Sequence, residues 1–187
     1  MENGSLIADR RRGTGPTGGS ERPPPKGCIN SGDLAIHIDR NGTWYHDGSP
    51  IRRKELVCVF ASALSADRED RLRLVTPAEM GRFRVEDAPF IAVELIATEL
   101  GRDQVSSFRI DVDEIVTSDP FHPIHVAMWP PTDESVPYVT VRPRIGARIA
   151  RSVYYELVRR GVEETHGNKK VCGAWSAGTF FPIGRIT

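Results

Sequence analysis

The sequence lacks an excess of either charge and lacks any long apolar run. Its 187 residues contain 25 Lys and Arg against 25 Asp and Glu, so it has no broad positive field of the kind that attracts nucleic acid. Arg10, Arg11 and Arg12 are not followed by a hydrophobic stretch, which excludes a signal peptide, and no apolar run reaches the length of a membrane span. We therefore expect a cytoplasmic protein without nucleic-acid or membrane partners.

Cysteine and histidine are also sparse. Cys28, Cys58 and Cys172 form an odd set without CxxC spacing, which favours buried free thiols over reactive or metal-bound ones. His122 and His125 lie three residues apart, and on a strand such residues point to opposite faces. No acid or cysteine completes a ligand set around them, so we expect neither a metal nor a cofactor.

Catalytic signatures are missing too. The sequence contains no phosphate-binding Walker loop, no Gly-x-Ser-x-Gly elbow and no dinucleotide fingerprint. Residues 13–19 are glycine-rich, but neither a Gly-Lys-Ser/Thr ending nor a preceding strand accompanies them. They belong to a segment of Gly, Pro, Ser, Thr and Arg with little to bury, so residues 1–27 are predicted to be a disordered tail.

The chain from residue 28 onward alternates strand and helix patterns. Leu34, Ile36 and Ile38 recur with period two, and the Asn41-Gly42 pair predicts a tight turn into a partner strand. Ser49 and Pro50 fit the start of a helix, one face of which is apolar. Further strands are predicted at residues 72–75, 83–85, 90–96, 108–112, 124–128 and 138–141, the last two joined by the Pro130-Pro131 loop.

A second helix is predicted from the spacing of Ile145, Ile149, Val153 and Leu157, with Gly161 at its end. Aligning the two helices matches Ile51 with Ile145, which suggests a tandem duplication of a strand–helix–strand unit. Chance repetition of such an order is the alternative. We predict an α+β fold with an N-terminal lobe at residues 28–88 and a C-terminal lobe at residues 89–187. Ligands favour the groove between such units.

Polar residues gather at strand ends and helix starts. Glu86 and Asp87 are adjacent, so on a strand they point to opposite faces and make an awkward catalytic pair. Their alternative role is a structural turn or pairing with arginine. Arginines at the helix starts suit an anionic ligand or, equally, ion pairs with nearby acids. These arginines are Arg52, Arg53, Arg142, Arg144, Arg148 and Arg151.

Eight short motifs together resemble the domain of unknown function 1285 family of bacterial proteins, in order and over residues 33–184. Met80-Gly81 departs from the charged and apolar residues of the family at this stretch. The motifs are Gly42-Thr-Trp-Tyr45, Gly48-Ser-Pro-Ile51 with Arg53, Leu74-Val-Thr-Pro77 with Glu79, Val85-Glu-Asp-Ala-Pro-Phe90, Pro137-Tyr-Val139, Ala150-Arg-Ser152, Gly173-Ala-Trp-Ser176 and Phe180-Phe-Pro-Ile-Gly184.

The resemblance implies a duplicated core, a C-terminal lobe like pleckstrin-homology folds with an antiparallel sheet and one long helix, and a nucleotide-type ligand between the lobes. It also implies a role in signal transduction. The main hypothesis is therefore a protein that binds a small anionic ligand. The alternatives are a hydrolase using Glu86 or Asp87 and a pleckstrin-like adaptor for another protein. The expected ligand-binding residues are Arg53, Thr76, Pro77, Glu79, Glu86, Asp87, Arg142, Arg151, Ser152, Trp175 and Ser176, of which Arg142 is added because it follows the Tyr138-Val-Thr-Val141 strand.

Overall fold

The computed structural model describes residues 27–129, 134–166 and 169–185, and these ranges form a mostly β protein with two helices and two lobes. Nearly all of the predicted tail and the Pro130-Pro131 loop lie outside the described residues. In the described ranges, neither helix has the length and hydropathy needed to cross a bilayer.

The N-terminal lobe is a six-stranded sheet with one helix beside it. Its strand order is β3-β2-β1-β6-β5-β4, and the central pair β1 and β6 is parallel. The predicted hairpin is confirmed: the Asp39 amide donates to the Thr43 carbonyl across the Asn41-Gly42 turn. The elements are β1 Ile29–Ile38, β2 Trp44–His46, β3 Ser49–Pro50, α1 Lys54–Ser62, β4 Leu64–Ala66, β5 Leu72–Val75 and β6 Glu79–Val85.

The first helix starts later than predicted. Ser49 and Pro50 do not open it but form β3, paired with His46 and Tyr45. Proline is tolerated there because β3 is an edge strand, where a missing amide hydrogen leaves no ladder bond unmade. Arg53 is the N-cap instead, and its backbone carbonyl accepts from the amides of Leu56 and Val57.

The C-terminal lobe contains a second six-stranded sheet, ordered β10-β11-β12-β7-β8-β9, and a three-stranded sheet, ordered β13-β14-β15. In the larger sheet the central pair β12 and β7 is again parallel. A short 3-10 turn at Gly101–Asp103 precedes β8. The elements are β7 Phe90–Thr98, β8 Val105–Ile110, β9 Ile115–Thr117, β10 Ile124–Trp129, β11 Glu134–Arg142, β12 Ile145–Ile149, α2 Arg151–Arg159, β13 Val162–His166, β14 Lys169–Ser176 and β15 Thr179–Arg185.

The predicted start of the second helix is wrong. Ile145, Ala147 and Ile149 alternate as buried residues in strand β12, and the helix begins only at Arg151, burying Val153 and Leu157. The spacing of Ile145 and Ile149 fits a helical turn and a period of two equally well. Pairing with β11 and β7 decides for the strand, since it satisfies the backbone groups on both sides.

One continuous core joins the lobes. Trp44 and Ile38 of the first lobe belong to the same buried cluster as Phe90 and Phe108 of the second and Ile183 of the small sheet. Burial of large side chains such as these stabilises the fold by about 1.5–3 kcal/mol each. The lobes are therefore fixed against each other by packing as well as by the chain that links them.

Polar contacts cross the same boundary. Arg142 donates across it to the Ala61 carbonyl at the end of α1, at 2.9 Å, and within its own lobe to Glu114 at 2.6 Å. Lys54 at the start of α1 pairs with Asp113 at 2.7 Å. Helix α1 is thus held at both ends by the C-terminal lobe.

Candidate functional site

A network of polar side chains lies at the linker between the lobes, where β6 ends and β7 begins. We call it the linker cluster. Charged and aromatic groups contact one another in sequence along it, and both predicted acids take part. Its members are Arg40, Glu86, Asp87, Trp129, Tyr138 and Arg148.

Asp87 is the centre of the cluster. Its side chain is only 5 % exposed, and it accepts hydrogen bonds from Tyr138 Oη at 2.6 Å and Arg148 Nη1 at 3.3 Å. Tyr138 Oη in turn accepts from Trp129 Nε1 at 2.8 Å. Burial, reinforced by the hydrogen bond to Asp87, raises the pKa of Tyr138. The tyrosine is therefore a permanent donor to a buried carboxylate.

Strand register explains why these groups meet. Tyr138 lies directly opposite His125 on β10 and opposite Arg148 on β12, and directly opposite residues point to the same face of a sheet. The rings of His125 and Tyr138 stack with centroids 5.5 Å apart. One face of the second sheet therefore carries a row of polar side chains beside the linker.

Glu86 points to a different partner from Asp87. Its carboxylate accepts from the backbone amide of Arg40 at 3.2 Å, and the Arg40 guanidinium lies over the Trp129 ring at 4.8 Å. A cation at this distance from an indole face is attracted by the ring quadrupole. The two acids therefore bracket the linker, in agreement with the expected alternation of adjacent residues.

A second, partly buried acid at the lobe boundary is absent from the predicted site. Asp111 Oδ1 is buried and has no hydrogen-bond partner among the described residues, and burial raises the pKa of Asp111 to about 6. Gly42 covers it: a Cβ there would lie 3.1 Å from Asp111 Oδ2 and 2.7 Å from Ile91 Cγ1. In the sequence, Asp111 is a single acid between Ile110 and Val112. That pattern does not show whether the acid lies on a buried or a solvent-exposed face of the sheet.

Three predicted residues lie together elsewhere, at a cavity of about 150 Å³ inside the N-terminal lobe. Thr76 and Glu79 line it, and Pro77 belongs to the turn between them. Thr76 Oγ1 accepts from the Glu79 amide at 3.0 Å. We call this space the N-lobe cavity; its lining consists of Leu34, Ala35, Ile36, His46, Phe60, Leu74, Thr76 and Glu79.

The predicted helix-start residues are separate from both places. Arg53 caps α1 through its backbone, and Arg142 is fixed by the contacts that join the lobes. Arg151 donates to Tyr155 Oη on the exposed side of α2 at 3.1 Å, and its neighbour Ser152 is exposed. None of these contacts joins them to the linker cluster.

Trp175 and Ser176 attach the small sheet to the larger one. The Trp175 carbonyl accepts from Gln104 Nε2, just before β8, at 3.1 Å, while Trp175 Nε1 donates to Glu164 within the small sheet at 3.0 Å. Ser176 is fully buried, and its Oγ accepts from the Ser106 amide at 2.9 Å and donates to the Ser118 carbonyl at 2.6 Å. These partners account for the hydrogen bonds of the serine hydroxyl without a ligand.

The described residues contain no group of three or more His, Cys, Asp or Glu side chains able to hold a metal ion. The polar chemistry at the linker is that of guanidinium, phenol, imidazole and carboxylate groups. Such groups bind by hydrogen bonds and charge.

Two family models cover the chain between them. Residues 24–88 match the N-terminal domain of unknown function DUF1285, and residues 89–183 match the C-terminal domain of the protein of unknown function DUF1285. No curated protein matches the chain.

Two crystal structures are similar. A DUF1285 family protein from Silicibacter pomeroyi DSS-3 is 37 % identical, with a TM-score of 0.78 over 94 % of this chain and 91 % of that one. A DUF1285 family protein from Shewanella baltica OS155 is 21 % identical, with a TM-score of 0.51 over 68 % and 92 %, and shows likeness of fold alone. From the two matched domains and the first of these relatives, this chain is a member of the DUF1285 family.

Proposed function

We propose that the protein binds a small anionic ligand of the nucleotide type at the linker cluster. The observation that carries the proposal is the placement of two guanidinium groups, those of Arg40 and Arg148, beside aromatic rings at the junction of the lobes. Clefts and junctions between lobes are preferred positions for small ligands. A role in signal transduction, implied by the family resemblance, is part of this proposal.

The arginines keep donors for a ligand. A guanidinium has five N–H groups, and Arg148 makes one contact at 3.3 Å with Asp87 while its side chain is 28 % exposed. The Arg40 guanidinium makes no ion pair with any described carboxylate. Because Asp87 orients Arg148 through one N–H group, a phosphate can bind the remaining N–H groups bidentately.

Thermal unfolding with a panel of nucleotides tests the proposal. A ligand that binds only the native state must raise the melting temperature. We expect one or more nucleotides to raise it in the wild type, and Arg148→Gln and Arg40→Ala to abolish the shift. Arg159→Ala is the matched control, since Arg159 is an exposed arginine on α2 with no partner in the described part of the chain. It should keep the shift in full.

Variants Arg53→Ala and Arg151→Ala extend the test to the helix starts. Loss of the nucleotide shift in these variants, with the shift retained in Arg148→Gln, would move the site from the linker to the helices. The absence of a shift with every nucleotide in the wild type would refute the proposal.

We also infer that the two lobes arose by duplication, in a register other than the one predicted. In support, both six-stranded sheets have the same strand order when the strands of each sheet are counted along the chain. From one edge to the other, that order is third, second, first, sixth, fifth, fourth. In both, the first and sixth strands form a parallel central pair. The predicted alignment equates Ile51, a loop residue, with Ile145, a strand residue. The alignment based on strand order equates β1 with β7 instead.

The pleckstrin-like character of the C-terminal lobe stays a proposal. Its mainly antiparallel sheet and helix α2 support it, although three further strands follow the helix. A structural superposition of this lobe on pleckstrin-homology domains is the direct test.

A further inference from the structure

The N-lobe cavity exists because the ladder between β1 and β6 is interrupted. Between the pairs Asp33–Arg82 and His37–Arg84, β1 advances four residues while β6 advances two. The interval contains residues 34–36, which form one wall of the cavity. Extra residues in one strand bend it away from its partner, and here the bend leaves a space of about 150 Å³.

Five of the eight residues that line the cavity are apolar. Among them, Leu34, Ile36, Phe60 and Leu74 contribute aliphatic and aromatic surface. Gly81 leaves room for Leu34, since a Cβ at Gly81 would lie only 2.5 Å from Leu34 Cγ. A space of this volume is large enough for one benzene ring.

The other three lining residues, His46, Thr76 and Glu79, are polar. Thr76 and Glu79 are tied across their turn by backbone and hydroxyl hydrogen bonds of 2.8–3.0 Å. The Glu79 carboxylate is exposed and accepts from Ser31 Oγ through Oε2. The third polar residue, His46, lies 3.6 Å from the Asp47 carboxylate.

Glu79 gives the lining of the cavity a negative charge. The residues that line the cavity include Glu79 but no lysine or arginine, and Asp47 adds a second carboxylate beside His46. A ligand with a carboxylate or phosphate would face repulsion here, whereas an ammonium group gains a charge-assisted hydrogen bond. The head group that fits is therefore cationic.

We propose that the N-lobe cavity binds a small aromatic primary amine in its protonated form. The ring lies on Leu34, Phe60 and Leu74, and the ammonium donates to the Glu79 carboxylate. The site is separate from the linker cluster and has the opposite charge preference, so it does not depend on the anionic ligand proposed there.

Titration of ¹⁵N-labelled protein with three one-ring probes tests the site: benzylamine, benzyl alcohol and benzoate. We expect benzylamine to bind with a dissociation constant on the order of 1 mM, a value suited to so small a molecule. The amide signals that move should be those of residues 34–36, 74–76 and 79. Benzyl alcohol should bind about tenfold more weakly, because it lacks the charge, and benzoate should not shift these signals.

Two variants test the contact to the ammonium group and the space for the ring separately. Glu79→Gln should weaken benzylamine about tenfold and leave benzyl alcohol unchanged, since only the charged contact is lost. Glu55→Gln, an exposed carboxylate on α1 of the same lobe, is the matched control and should change neither. Leu34→Phe fills the space and should abolish binding of both probes.

Three results would overturn the proposal. The first is that the amide signals of the cavity residues do not move at a benzylamine concentration about ten times the expected dissociation constant. The second is equal affinity for benzylamine and benzyl alcohol. The third is unchanged benzylamine binding in Glu79→Gln. Glu79 is on the exposed rim, so this last comparison holds even if Leu34→Phe fails to fold.

Discussion

Tyr138 Oη donates a 2.6 Å hydrogen bond to Asp87 Oδ1, and so ties the second sheet to the linker between the lobes. The same oxygen accepts from Trp129. One phenol therefore serves a buried carboxylate and a partly buried indole, and its removal is the most direct test of the linker cluster.

Tyr138→Phe should lower the free energy of unfolding by about 1–3 kcal/mol, because Asp87 loses a donor and Trp129 loses an acceptor in a buried setting. Urea unfolding measures the change. Tyr155→Phe is the control, since Tyr155 is exposed and, among the described residues, its hydroxyl accepts only from Arg151. It should change stability by no more than about 0.5 kcal/mol. Equal effects of the two substitutions would contradict the assigned role.

Asp111 predicts a pH dependence. Its pKa rises from 3.8 to about 6 in the folded protein because burial disfavours the charged form. Between these values the unfolded chain loses its proton while the folded one keeps it, so the stability contributed by this group falls as pH rises and is lost above pH 6. With about 1.4 kcal/mol per pKa unit, the loss is on the order of 3 kcal/mol.

Asp111→Asn removes that titration. Urea unfolding at several pH values between about 4 and 7 should show the variant gaining stability over the wild type as pH rises, with most of the gain below pH 6. A difference that is constant across this range would show that Asp111 titrates normally.

Arg142 should be a structural residue of the lobe boundary. Arg142→Ala removes the donors to the Ala61 carbonyl and to Glu114, and it should cost about 2–4 kcal/mol of unfolding free energy. Arg142→Lys, which keeps the charge but not the fork, should lie between. Arg159→Ala serves as the exposed control. Nucleotide shifts that persist in folded Arg142→Lys would further place Arg142 outside the binding surface.

Ser176 should have a structural role and no role in ligand binding. Ser176→Ala leaves the Ser106 amide and the Ser118 carbonyl without their buried partner, and it should cost about 1–3 kcal/mol while leaving the nucleotide-induced shift intact. Ser152→Ala, on the exposed start of α2, should be close to neutral. A stable Ser176→Ala variant that no longer responds to nucleotide would instead support the binding role predicted from the sequence.

Local pattern was sufficient for much of the fold. The hairpin at Asn41-Gly42, the strand at residues 72–75 and the part of the strand predicted at 108–112 that ends at Ile110 follow from local pattern and turn chemistry. The errors fell where one pattern fits two structures. Pro50 suits both a helix start and an edge strand, and Ile145 with Ile149 suits both a helix and a strand. Pairing with distant strands decided each case.

By itself, the sequence determined the family, the two-lobed order of elements and the position of the acids Glu86 and Asp87 at the linker. The tertiary structure decided what those acids contact, which arginines are already engaged, and that Asp111 is covered by Gly42. The physical reason is that hydrophobic periodicity and secondary-structure propensity depend on neighbours in the chain. The burial of a side chain depends on which groups pack against its face of the sheet or helix. Here the covering groups come from the other lobe, and their sequence separation hides them from any local pattern.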